Sequence, residues 1–149
     1  MVDSRAKGAR GEYLVRDLLR ESSGLQFERV PASGALSYLK GDLFVPHETN
    51  RFCIEVKNYE ESPLTDKIFT NKSNYIIKWW EKIQEQAAGG GQEPLLIFKY
   101  NRSKCFVVTE YEPMSVEKYM YLGWLDCYVM LLTDWLEGET IEWLKTSKT

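Results

Sequence analysis

The stretch Arg51–Tyr59, RFCIEVKNY, constrains the fold more than any other. It is rich in β-branched and aromatic residues and alternates with period two, which predicts a strand. Alternation puts Phe52, Ile54 and Val56 on a core face and Arg51, Cys53, Glu55 and Lys57 on the opposite face. Upstream, DLFVPH (42–47) reads as a second strand ended by Pro46, with ETN as the turn between them. So short a turn pairs the two strands antiparallel. The start of one then lies near the end of the other, which brings Asp42 close to Glu55 and Lys57.

The remaining segments dress this hairpin. Residues 4–22 read as a helix with an apolar stripe of Leu14, Val15, Leu18 and Leu19, stopped at Gly24. LQFERVP (25–31) reads as a short strand, and 32–41 as a loop of small residues. Residues 60–72 have no regular pattern. A second helix is expected from about Ser73, ended by Gly89–Gly91. Trp79 and Trp80 are adjacent on it, so the helix is not expected to bury both equally well; core or interface packing is favoured over base stacking. PLLIFKY (94–100) and KCFVV (104–108) read as strands around an NRS turn. The segment 114–123 reads as helix, 126–132 as strand and 133–148 as a helical tail. The order predicts an α/β protein, a mixed β-sheet flanked by helices.

With 149 residues the expectation is a single domain, a core over about 5–110 and an acidic, aromatic-rich extension over 111–149. No apolar run approaches the ~20 residues of a membrane span, and no signal peptide is visible, so a cytoplasmic protein is expected. Cys53, Cys105, Cys127 and the single His47 show no zinc-finger spacing, and the cysteines read as reduced, packed thiols. Residues 109–149 hold eight acidic and three basic residues, while 1–108 hold 16 basic and 14 acidic. A polyanion would therefore meet the N-terminal two thirds.

Two carboxylates and an ammonium within a few ångströms have a definite chemistry. The oxygens of Asp42 and Glu55 suit Mg²⁺ or Mn²⁺ better than zinc. Such an ion polarises a phosphoryl oxygen and acidifies a bound water, and Lys57 can orient that water or stabilise charge on the phosphate. A solvated strand face with an ion pair would use the same residues. Glu12 lies partly on the apolar face of the first helix, where a carboxylate needs a cationic partner. Gly8 and Gly11 beside it are costly in a helix and imply a close approach by backbone or phosphate. Lys7 and Arg10 flank them, and Ser33 in VPASG offers a hydroxyl in the loop before Asp42.

Together KGARGEYLVRDLL, RVPASG, GD (41–42) and IEVK (54–57) resemble the archaeal-type Holliday-junction resolvases, a branch of the PD-(D/E)xK nuclease superfamily. The likeness covers roughly 5–110 and implies a restriction-endonuclease-like fold. It also implies a homodimer with two Mg²⁺-dependent sites that nick opposing strands of a four-way DNA junction. Carried over by position, Glu12, Asp42, Glu55 and Lys57 form the catalytic set with Ser33 near it. Asp42, Glu55, the Val56 carbonyl and Glu12 are the candidate metal ligands, and Lys7, Arg10 and Ser33 the DNA contacts. Gly41 stands where that family usually has proline before the aspartate. Two other readings remain: a restriction-like or repair endonuclease on other branched or linear DNA, and a non-catalytic DNA-binding protein of the same fold.

Overall fold

The computed structural model describes residues 3–31 and 39–145. In chain order the elements are α1 (Ser4–Ser23), β1 (Glu28–Arg29), β2 (Leu43–Phe44), β3 (Phe52–Tyr59), α2 (Lys67–Thr70), α3 (Tyr75–Gly89), β4 (Glu93–Tyr100), β5 (Phe106–Thr109), β6 (Tyr119–Leu122), β7 (Cys127–Leu131) and α4 (Leu132–Gly138). The strands form one mixed sheet in the order β1-β2-β3-β4-β5-β7-β6. Only β3 and β4 run parallel, in register from Phe52↔Glu93 to Tyr59↔Tyr100. A parallel neighbour requires a crossover, and α3 supplies it.

Alternation along the two central strands sorts the core into two layers. Ile54, Val56, Leu95 and Ile97 face α1 through Val15 and Leu19. Cys53, Leu96 and Phe98 face α3 through Ile76, Trp80, Ile83 and Ala87. Covered on both sides, β4 reads as the near-continuous apolar run PLLIF. The mixed sheet flanked by helices is as the sequence predicts.

Helix α1 starts where the Asp3 side chain accepts from the Arg5 N–H, and it ends at Gly24 in a left-handed cap. Asn74 caps α3 by accepting from the Ile76 N–H, while its amide donates to the Pro63 carbonyl at 2.8 Å. Both tryptophans of α3 are buried, at 6% and 0% exposure. Trp80 points into the sheet, and Trp79 on the helix flank is covered by Tyr59 and Tyr75, with ring centroids 4.8 and 5.5 Å away.

Three segments depart from the sequence expectation. The 114–123 region is not helical: Tyr119–Leu122 forms the edge strand β6, paired with β7 from Tyr119↔Met130 to Leu122↔Cys127. Ladder pairing with β7 outweighs the weak helical spacing of its apolar residues. The tail is helical only to Gly138. Beyond it, Trp143 is drawn against Phe27 and Phe52, with centroids 5.2 and 5.6 Å away, and its carbonyl accepts from the Arg51 N–H. Burying that indole requires an extended approach, which the helix could not give. Within 60–72, the single turn α2 buries Ile68 against the α3 layer. No helix among the described residues is long and apolar enough to cross a membrane.

Candidate active site

Strand β2 is two residues long and covers β3 only at Leu43↔Ile54. Among the described residues the second half of β3 therefore has an open edge, and Asp42 stands at it. Its N–H donates to the Ile54 carbonyl at 2.6 Å, and its Oδ2 accepts from the Val56 N–H at 2.7 Å. A carboxylate thus occupies the place of the next strand. The N–H and C=O of one strand residue leave by the same edge, so the Val56 carbonyl is directed to this side as well. Gly41 permits the approach: its φ is +84°, and a Cβ there would lie 2.6 Å from the Ile54 carbonyl oxygen.

Glu55 and Lys57 reach the same edge from the α3 side of the sheet. Lys57 Nζ lies 3.2 Å from Glu55 Oε1, with both side chains mostly covered. Burial and the charge of Glu55 push the Asp42 carboxyl up to about 7; the Val56 N–H and Lys57 oppose the shift, and Glu12 adds to it. The pocket is thus short of positive charge. It is an open cleft of about 390 Å³ whose walls include Lys7, Gly8, Glu12, Asp42, Glu55, Val56, Lys57 and Asn58.

Glu12 enters from the α1 side. Its Oε1 accepts from Arg29 Nε at 2.9 Å, and Arg29 also lies over the Tyr13 ring and donates to its hydroxyl. The hydrogen bond to Glu12 is the main reason the Arg29 guanidinium is pushed further up. Gly11 sets how closely helix and strand approach, since a Cβ on it would meet Asn58 Cβ at 2.8 Å. Asn58 Nδ2 donates to the Lys7 carbonyl at 2.9 Å, which ties the start of α1 to the end of β3. Among the described residues Gly8, by contrast, meets nothing within 4 Å; it leaves open space on the cleft wall.

The structure therefore gathers Glu12, Asp42, Glu55, Val56, Lys57 and Lys7 around one cleft. Arg10 is exposed one turn away and is not part of its lining. Ser33 lies outside the described residues. Sequence reasoning did not single out Arg29 or Asn58. The signal for Arg29 was present, because it alternates with the buried Phe27 and so must face α1.

The donor set fits a hard divalent cation. Two carboxylates, one of them held toward its neutral form by burial and by the charge of the other, gain most from an added positive charge, and a backbone carbonyl points to the same edge. Among the described residues no three acidic, His or Cys side chains stand close enough to hold an ion by themselves. Asp42, Glu55 and Glu12 line the same cleft, with Glu12 engaged by Arg29.

The family model described as "Phage putative PDDEXK endonuclease" matches residues 3–135. Protein D14 of Escherichia phage T5 is 34% identical over 154 residues, spanning 95% of this chain and 96% of that protein. The structure of Archaeoglobus fulgidus Hjc, a Holliday junction resolvase from an archaeal hyperthermophile, is similar at 20% identity. It covers 88% of this chain and 93% of that one, with a TM-score of 0.46. Members of the PD-(D/E)xK superfamily generally use divalent metal ions. The match across most of the chain and the identity to the phage protein show that the chain belongs to the phage PDDEXK endonuclease family.

Proposed function

We propose that the protein is a Mg²⁺-dependent, structure-specific DNA endonuclease that resolves four-way junctions by paired phosphodiester hydrolysis, acting as a homodimer. One observation carries the reading: Asp42, Glu55 and Lys57 converge with Glu12 on a single cleft. Asp42, Glu55 and the Val56 carbonyl hold the ion, with Mn²⁺ as a substitute. When bound, it polarises the scissile phosphate and acidifies an attacking water. Lys57 orients that water and offsets charge on the phosphate. Glu12 completes the acidic wall through water, fixed by Arg29. Lys7 and Arg10 contact the DNA backbone, together with Ser33 from the preceding loop. The junction preference rests on the order and spacing of the four sequence pieces, and the exposed aromatic pair Phe69 and Trp124 is compatible with a dimer surface.

The test is cleavage of a labelled four-way junction beside its component duplexes, with Mg²⁺ or EDTA. Symmetric paired nicks in the junction alone, abolished by EDTA, are expected. Equal cutting of the duplexes would reassign the protein to restriction-like or repair cleavage. Metal-independent junction binding without cutting would reassign it to a binding role.

A further inference from the structure

The charge around the cleft is lopsided. On the α3 side, an adjoining groove of about 570 Å³ is lined by Glu60, Glu61 and Asp66 against Lys67. On the other side stands the turn between β4 and β5, which carries Arg102 and Lys104 and no acid, with Lys99 just before it at the end of β4. Among the described residues none of these three is in an ion pair.

The turn belongs to the same end of the sheet as the catalytic cleft. β4 runs parallel to β3 in register, with Lys57 beside Phe98 and Asn58 beside Lys99. The turn also touches both walls of the cleft. Asn101 N–H donates to the Glu60 carbonyl at 3.3 Å, and its side chain accepts a hydrogen bond from Lys7. Internal bonds hold its shape, from Ser103 N–H to the Tyr100 carbonyl and from Tyr100 N–H to Ser103 Oγ.

Arg102 is the unusual residue. Among the described residues three non-glycines have positive φ, and the other two are His47 and Asp126. Histidine and aspartate tolerate the left-handed region; a long unbranched cation has no such reason to be there. Glycine after Asn101 would make the cheaper turn. The chain instead presents an exposed guanidinium at φ 67° beside the cleft. A guanidinium so placed suits phosphate oxygens.

We infer that the β4–β5 turn is a second backbone clamp for DNA, in which Arg102 and Lys104 grip phosphates beyond the scissile one. The duplex arm runs from Lys7 across the turn, away from the acidic groove. The inference rests on the endonuclease reading above and adds the path of the substrate.

The test measures binding in EDTA, by fluorescence anisotropy of a labelled duplex and a labelled four-way junction over a salt series. The R102A/K104A protein should bind both DNAs about tenfold more weakly near 0.1 M salt. The slope of log affinity against log salt should become shallower by about 0.9 for each phosphate that is no longer neutralised. R102G, which relieves the backbone, should keep or raise the melting temperature while losing affinity. This separates a clamp from a structural turn. Wild-type affinity and slope in both variants would overturn the clamp and leave the endonuclease reading intact. Failure of the wild-type protein to bind either DNA would overturn both.

Discussion

At the scale of single residues, Asp42 is the pivot. Its folded pKa lies above the ordinary carboxylate value, so without metal the folded state holds a proton that the unfolded state has released. The contribution of Asp42 to stability should therefore be full below about pH 4, fall as pH rises toward 7 and level off above that. Thermal unfolding in EDTA from pH 4 to 8 checks this: Asp42→Asn should flatten the decline, and Mg²⁺ should reverse it in the wild type only. Equal pH profiles for the two proteins would refute the electrostatic account. The asparagine keeps an acceptor for the Val56 N–H, so the loop should survive the change. For Lys57→Ala we expect cleavage to drop by about 10²-fold or more. The fold should lose no more than about 1 kcal/mol, because the pair with Glu55 is partly solvated. Single-turnover cleavage and denaturant unfolding on the same preparation separate the two effects.

At the scale of elements, the two glycines of α1 give opposite predictions. Gly8→Ala meets only open space and should stabilise the helix by about 0.5–1 kcal/mol. Gly11→Ala drives a methyl into Asn58 and should cost about 1–3 kcal/mol. Chemical denaturation of the pair decides; equal effects would mean that helix and strand are not held at this distance. These elements also show what the sequence could disclose. Strand β3 was legible because its alternation is a local signal, and the hairpin placed Asp42 correctly. The need of Glu12 for a cation was legible too, although the cation itself comes from another element. β6 was not legible, since its state is set by the ladder to β7, and neither was the extended tail, since Trp143 is positioned by Phe27 and Phe52 far away in sequence. The burial of both Trp79 and Trp80 likewise depended on Tyr59 and Tyr75, which close over the helix flank.

At the scale of the whole molecule, the sheet keeps its thiols out of reach. Burial pushes Cys53 and Cys127 up to about 12, helped by Glu55 and Asp126, and raises Cys105 as well. None of the three should react with an aromatic disulfide reagent at pH 8 until the protein is unfolded, when all three should. Prompt labelling of the native protein would contradict the packing described. The shortness of β2 has a consequence of another kind. A strand margin unpaired among the described residues is a template on which a second chain can zip up, and here it is lined by the polar side chains of Asp42, Glu55 and Lys57. The side chains assigned to chemistry would then double as a defence against clumping. A dead enzyme made with apolar replacements at Asp42 and Lys57 should precipitate more readily than one made with amide or small polar replacements.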